Sequence, residues 1–105
     1  MKSVVNLNAS DFNKKIMNDK LAVVVDVRTP QEFNDGHISK SLLIDIYNPT
    51  FAEKISELDK SKNYYIYCRS GQRSYHAGVF MLEQNFTNVH HLKDGIISWT
   101  GSLEK

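Results

Sequence analysis

The chain has 105 residues, 41% of them hydrophobic, which fits one compact domain, 1–105, with a single core. Thirteen Lys and Arg against twelve Asp and Glu leave a formal net charge of +1, which excludes a general attraction to nucleic acid or anionic membranes. No apolar run approaches the roughly 20 residues that span a bilayer, and the N-terminus lacks the long apolar segment of a signal peptide.

The first third of the chain predicts a helix, a buried strand and a short capped helix. Ser10 can cap a helix that begins at Asp11. The β-branched apolar run at 21–27 has the continuous pattern of a strand buried on both faces of a parallel sheet. The sequence TPQE at 29–32 is a capping box that opens a short helix, and Gly36 is expected to end it.

The rest of the chain alternates strands and helices. The apolar spacing predicts a strand at 42–44, a helix at 50–58, a strand at 64–68, a helix at 74–84, a strand at 89–92 and a last helical turn at 96–99. This alternation predicts an α/β domain with a mainly parallel sheet flanked by helices. Ligands of such sheets bind beyond the carboxyl ends of the strands, which is where Cys68 and the segment 26–28 fall.

The sole cysteine, Cys68, ends a predicted strand and precedes a loop that suits an anion. Backbone N–H groups at a helix start have no intrahelical partners, and Gly71 allows successive N–H groups to point inward together. Arg69 and Arg73 add positive charge, which favours the reactive thiolate form. A buried, inert thiol is the alternative, and the glycine and arginines favour a nucleophile over it. The candidate anion-binding loop comprises Arg69, Ser70, Gly71, Gln72, Arg73 and Ser74.

The spacing from Cys68 to Arg73 distinguishes sulfur transfer from phosphoryl transfer. Four residues, 69–72, lie between them, whereas cysteine-dependent phosphatases carry one residue more. A shorter loop encloses less space above the sulfur, and a persulfide needs room for a single added sulfur where a phosphoryl group needs room for its oxygens. The spacing therefore favours sulfur transfer. Because there is no second cysteine, no internal disulfide can form, which fits a reducing cytoplasm, and an external group must unload Cys68.

Three stretches resemble the rhodanese-like single-domain sulfurtransferases and together run through nearly the whole chain. VVVDVRTPQEFNDGHI at 23–38 looks like the family's first signature, and YCRSGQRS at 67–74 looks like the active-site loop of its small thiosulfate sulfurtransferases. LKDGIISW at 92–99 is similar to the family's closing Gly-Gly-x-x-x-Trp stretch. The resemblance implies the rhodanese three-layer fold and covalent catalysis, in which Cys68 takes sulfur from thiosulfate and passes it to a thiol or cyanide-like acceptor.

The resemblance also implies roles for the residues around the cysteine. Loop amides would hold the charge of the persulfide, Arg69 would attract the dianionic donor, and Arg73 would shape the loop by pairing with an acidic residue. Glu32 has two open roles, as the cap of its own helix or as that partner of Arg73. Asp26 and Arg28 are expected to form a structural ion pair that supports the loop indirectly.

Two departures from the family pattern concern turns. Lys40-Ser41 stands where relatives usually carry Gly-Ala, which puts the local loop path in question. Asp94 replaces the usual first glycine of the closing stretch, and as an Asp it suits a helix N-cap.

Metal, cofactor and nucleic-acid functions are not predicted. No Cys/His cluster has zinc-like spacing, and the adjacent His90 and His91 should point to opposite faces of a strand. The tyrosines at 64, 65 and 67 lack a basic patch beside them and are interpreted as core residues. Two other functions stay open: a sulfur-carrying or regulatory module whose acceptor is a partner protein, and a cysteine-dependent phosphatase or arsenate reductase.

Overall fold

The computed structural model describes residues 3–105. The strands in this part of the chain are β1 (Val5–Leu7), β2 (Ala22–Asp26), β3 (Leu42–Leu43), β4 (Asn63–Tyr67) and β5 (Val89–Leu92). The helices are α1 (Ala9–Asn18), α2 (Pro30–Asp35), α3 (Phe51–Ser56) and α4 (Gln72–Glu83), and a 3-10 turn follows at Ile96–Ser98. No helix between residues 3 and 105 is long and apolar enough to cross a membrane.

The strands form one sheet in the order β1-β5-β4-β2-β3, and each pairing between these strands is parallel. The central strand β4 pairs with β2 on one side, where Asp26 lies opposite Tyr67, and with β5 on the other, where Ile66 lies opposite His91. The carboxyl ends of β2 and β4 therefore meet at one edge of the sheet. The predicted α/β class with a mainly parallel sheet is confirmed.

Apolar side chains cover both faces of the sheet and give three layers. One face packs Val25 and Ile66 against Ile55 of α3 and Met81 of α4. The other face packs Val24, Tyr65, Tyr67 and Leu92 against Phe12 of α1. Because side chains alternate along a strand, Cys68 falls on the first face, beneath α4.

Helix starts show where local sequence decided the structure. The capping box is present: Glu32 N donates to Thr29 Oγ1 over 3.2 Å, and Thr29 N donates to Glu32 Oε1 over 3.1 Å. Gly36 ends that helix, as predicted. The prediction of Ser10 as a cap is wrong, because α1 begins earlier and Asn8 Oδ1 accepts from Asp11 N over 2.8 Å. Asn and Ser are nearly equal as caps, so composition alone does not choose between them.

Other differences concern short or terminal elements. Strand β1 was not predicted, because it has three residues at the sheet edge and only Leu7 of them is buried. Helix α4 begins at Gln72, two residues before the predicted start. Its N-cap is Gly71, which has no side chain to mark the helix start in the sequence. Gln84, the last residue of the predicted helix, lies just outside α4 and is exposed.

Lys40 adopts a backbone conformation that favours glycine. Its φ is +64°, in the left-handed region that side chains with a Cβ rarely adopt. The next residue holds the turn, because Ser41 Oγ donates to Ile38 O over 2.7 Å and Ser41 N donates to the same oxygen over 3.1 Å. These two hydrogen bonds hold the turn, which places backbone strain at one exposed lysine.

Replacing Lys40 by glycine should stabilise the fold. The Lys40→Gly change removes the left-handed strain and adds backbone entropy to the unfolded chain, leaving a net gain of about 0.5–1 kcal/mol. Urea unfolding followed by circular dichroism measures this free energy. Lys40→Ala is the matched control, since it removes the charge and keeps the Cβ, and should give no such gain. An equal gain in both variants would contradict the strain argument.

Candidate active site

Cys68 comes directly after β4 and is 1% exposed at the carboxyl edge of the sheet. Two backbone N–H groups point at its sulfur, from Gly71 over 3.1 Å and from Ser74 over 3.3 Å. Gly71 aims its N–H inward through a left-handed φ of +102° and is the N-cap of α4. These amides belong to a helix start, so they stabilise negative charge on the sulfur with no competing intrahelical acceptor.

The back of this loop lies directly on the turn that follows β5. Ile96 N donates to Cys68 O over 2.9 Å, and Ile97 N donates to Arg69 O over 3.3 Å. A Cβ on Gly71 would lie 2.0 Å from Lys93 O, and a Cβ on Gly95 would lie 1.9 Å from Arg69 O. Both glycines are therefore required by the contact of backbone with backbone.

Asp94 does not cap the turn, so that prediction is wrong. The N-cap of the 3-10 turn is Gly95, with a φ of +75° and no side-chain cap bond. The turn is instead closed by backbone bonds from Gly95 N to Leu92 O over 3.1 Å and from Ser98 N to Gly95 O over 3.0 Å. Asp94 itself is exposed.

Glu32 performs both of the roles left open by the sequence. Its carboxylate accepts from Arg73 Nη1 over 2.8 Å and from Arg73 Nη2 over 2.9 Å, a bidentate pair. Its Oε1 also accepts from Thr29 N in the capping box. The hydrogen bonds from Arg73 are the main cause that lowers the pKa of Glu32 to about 2, and they raise the pKa of Arg73 in turn. One carboxylate thus joins the start of α2 to the start of α4.

The two arginines of the loop differ in what they contact. Arg73 is held by Glu32 and lies over the ring of Tyr47, 5.7 Å from its centroid. Arg69 is exposed, and no carboxylate within residues 3–105 forms a salt bridge with it. Ser70 and Gln72 are also exposed. Of the two loop arginines, Arg69 is therefore the one that no carboxylate of residues 3–105 binds.

Asp26 and Arg28 form a separate buried ion pair. Arg28 Nη2 donates to Asp26 Oδ2 and to Gly36 O, each over 2.7 Å, and Arg28 Nε donates to Asp26 Oδ1 over 2.9 Å. Within residues 3–105 the pair makes no hydrogen bond to the cysteine loop. Its link to the loop is Tyr67, the residue before Cys68, whose ring centroid lies 5.5 Å from the guanidinium carbon.

The sequence did not predict a second polar contact of the cysteine. Ser74 Oγ lies 3.6 Å from Cys68 Sγ and 2.9 Å from His91 Nδ1, and His91 Nε2 lies 2.7 Å from Asn6 Oδ1. Strand alternation correctly places His91 and His90 on opposite faces, since His90 stacks on Tyr65. The contact of His91 with Asn6 could have been expected only if strand β1 had been predicted as the neighbour of β5. No three His, Cys, Asp or Glu side chains of residues 3–105 lie close enough to hold a metal ion.

Fold and site together define a parallel α/β domain with one cysteine held by backbone amides at the carboxyl edge of its sheet. The sequence model of the Rhodanese-like domain family matches residues 8–102. The chain therefore belongs to the rhodanese-like family.

Similar proteins carry more specific names. A protein named sulfurtransferase from Allochromatium vinosum is 31% identical over 91% of this chain and 88% of its own length. The tRNA uridine(34) hydroxylase of Pelagibacter ubique is 35% identical over 87% of this chain, which spans only 31% of that enzyme. A crystal structure of a rhodanese-related protein from Thermoplasma volcanium superposes with a TM-score of 0.73 at 34% identity, covering 93% of this chain and 90% of that one.

The Glu32–Arg73 pair should make stability depend on pH in the acid range. A carboxylate whose pKa is lowered from 4.5 to about 2 contributes fully above 4.5, and its contribution is lost as the pH falls through 2. Because both side chains are partly exposed, solvent screening reduces the contribution, and Glu32→Gln should lower the free energy of unfolding at neutral pH by about 1–2 kcal/mol.

Urea unfolding of Glu32→Gln and wild type across this range measures the effect. The difference between them should narrow steadily as the pH falls from 4.5 towards 2. Glu83→Gln, at the exposed end of α4, is the matched control and should show no such narrowing. A difference that stays constant with pH would contradict the assignment to this pair.

Proposed function

We propose that this chain is a sulfurtransferase that moves a sulfane sulfur from thiosulfate or a similar donor to a thiophilic acceptor through a Cys68 persulfide. The observation that carries the proposal is that two backbone N–H groups point at the sulfur of Cys68. They belong to a loop in which only four residues separate Cys68 from Arg73. Membership of the rhodanese-like family and the similarity to a protein named sulfurtransferase support it.

The first half-reaction loads the cysteine. The Cys68 thiolate attacks the outer sulfur of thiosulfate, a bond forms between the two sulfurs, and the original S–S bond of the donor breaks. Sulfite leaves with that electron pair. Arg69 attracts the thiosulfate dianion. The N–H groups of Gly71 and Ser74 stabilise the negative charge on the outer sulfur of the new persulfide.

The second half-reaction removes the added sulfur from Cys68. A thiolate or cyanide-like acceptor attacks the outer sulfur of the persulfide, the bond to Cys68 Sγ breaks, and the electron pair returns to Sγ. The cycle is a two-step displacement and needs no cofactor besides the covalent persulfide. Arg73, bound by Glu32, keeps the loop in shape through both steps.

A partner protein is the second candidate acceptor, in which case the chain acts as a sulfur-carrying module. Exposed apolar side chains flank the loop: Tyr47, 68% exposed, lies beneath Arg73, and Ile97, 63% exposed, is part of the turn that holds the loop. Such residues suit contact with a protein surface. Slow discharge to cyanide with rapid discharge to one protein thiol would favour this version. Cys68-dependent hydrolysis of an aryl phosphate would instead favour a phosphatase.

Intact mass spectrometry tests the persulfide directly. Incubation with thiosulfate should add the mass of one sulfur atom to the wild-type chain, and cyanide or a thiol should remove it. Cys68→Ser is the matched control and should gain nothing. No added sulfur on the wild type, or sulfur retained by Cys68→Ser, would overturn the proposal.

Arg69→Ala should impair the donor half-reaction. Loss of one charge-assisted contact, about 1.5–3 kcal/mol, corresponds to a decrease of roughly ten- to a hundredfold in kcat/KM for thiosulfate. Single-turnover loading measures this step, and unloading of a preformed persulfide by cyanide should change much less. Arg69→Lys keeps the charge and should recover part of the loss. Unchanged loading in Arg69→Ala would remove Arg69 from the donor site.

A further inference from the structure

A chain of hydrogen-bonding side chains runs from the cysteine to the edge strand of the sheet. It joins Cys68 Sγ to Ser74 Oγ over 3.6 Å, Ser74 Oγ to His91 Nδ1 over 2.9 Å, and His91 Nε2 to Asn6 Oδ1 over 2.7 Å. Ser74 is fully buried and His91 is 3% exposed. Four elements contribute one residue each, so no single element explains the alignment.

Counting protons assigns the donors. Asn6 Oδ1 can only accept, so His91 Nε2 carries a hydrogen. In the neutral imidazole Nδ1 is then a bare acceptor, and Ser74 donates to it. Gly71 O lies 3.2 Å from Ser74 Oγ, but it already accepts from Tyr75 N over 3.1 Å and does not require the serine proton.

This count couples the sulfur to the imidazole. While Ser74 donates to neutral His91, its oxygen presents a lone pair to Cys68, which suits a thiol that donates S–H. Once Nδ1 carries a proton, it donates to Ser74, and the serine hydroxyl is free to donate to a thiolate. The thiol therefore matches the neutral imidazole, and the thiolate matches the imidazolium.

We propose that His91 accepts the proton of Cys68 through the hydroxyl of Ser74 and so holds the thiolate that attacks the sulfur donor. The S–H proton moves to Ser74 Oγ, the serine proton moves to His91 Nδ1, and Nε2–H continues to donate to Asn6. Two protons shift along the chain, which amounts to a net transfer of one proton from the sulfur to the imidazole; no bond between heavy atoms changes, and no redox partner is required. His91 acts through Ser74 and is a positioning residue for the reaction.

The surroundings of His91 leave its imidazole neutral before the proton moves. Burial lowers the pKa of His91, so at neutral pH Nδ1 is a bare acceptor, and the negative charge of the thiolate is what stabilises the imidazolium once the proton has moved. The titratable groups that face it are Cys68 at the end of β4 and Tyr75 of α4, whose ring centroid lies 5.7 Å away. Strand β1 presents the uncharged Asn6, and no carboxylate of residues 3–105 forms a salt bridge with His91.

The assignment rests on Cys68 as the nucleophile of the proposed function, but its test needs no sulfur donor. Alkylation of Cys68 by iodoacetamide reports the thiolate fraction, and its rate is measured from about pH 5 to about pH 10. In His91→Asn the rise in rate should move to higher pH, with a loss of roughly tenfold or more near pH 7. Ser74→Ala should give the same shift, and the double variant should lose no more than either single one.

His90→Asn is the matched control, because His90 is the adjacent histidine and stacks on Tyr65 on the other face of the sheet. Its alkylation profile should equal that of the wild type. A wild-type alkylation profile in His91→Asn would overturn the relay. Additive losses of alkylation rate in the double variant would also overturn it, because two independent packing defects give additive losses.

A measurement on the intact imidazole covers the case in which these variants fold poorly. NMR titration of the His91 ring in wild type and in Cys68→Ser compares its protonation with and without an ionisable sulfur. Loss of the thiolate should move the titration of His91 to lower pH by about one unit or more. An unchanged titration would overturn the relay. A shifted alkylation profile without persulfide formation would support the relay and contradict the proposed function. Persulfide formation with an unshifted alkylation profile would support the proposed function and contradict the relay.

Discussion

The cysteine loop depends on the close approach of two backbone segments. The carbonyl oxygen of Lys93, directly after β5, occupies the space where a Cβ of Gly71 would lie, and Arg69 O occupies the corresponding space at Gly95. Because these contacts involve backbone alone, they fix the path of the loop whatever its exposed side chains are. The N–H groups of Gly71 and Ser74 then converge on the sulfur as a consequence of that path. The convergence of these N–H groups is thus produced by packing, and the side chains at 69, 70 and 72 stay exposed.

The Glu32 carboxylate makes the second connection that the site requires. A capping box is a local device, and it needs only the four residues of its own helix start. Here the same carboxylate also accepts two hydrogen bonds from Arg73, across the carboxyl edge of the sheet. Helix α2 and helix α4 start at neighbouring strand ends, so joining their first turns fixes the two halves of the edge to each other. Electrostatics therefore reinforces an arrangement that strand order had already produced.

Much of the fold was readable from the sequence because the signals were local or periodic. The buried run of β2, the capping box and the apolar periods of α4 each depend on residues close in the chain. The strand β1 and the contact of His91 with Asn6 were missed, because each depends on which segments become neighbours in space. The cap at Asn8 was missed because Asn and Ser are nearly equal as caps. The cysteine loop could be singled out by its residue types. The pairing of Arg73 with an acidic residue was implied only by the family resemblance, because the residue types alone do not distinguish two arginines in one loop, and the two roles of Glu32 stayed open until its contacts were known.

The two departures from the family pattern show what a glycine is needed for. At 94 the aspartate is exposed and its φ is not positive, so the position requires neither open space nor a special conformation. At 40 the φ is positive but the lysine is exposed, so the side chain fits and only conformational strain results. At 71 and 95 both requirements coincide, since φ is positive and a carbonyl lies where the Cβ would be. Gly71 and Gly95 both touch the backbone around the cysteine, where no side chain can be accommodated without moving the backbone that holds the sulfur.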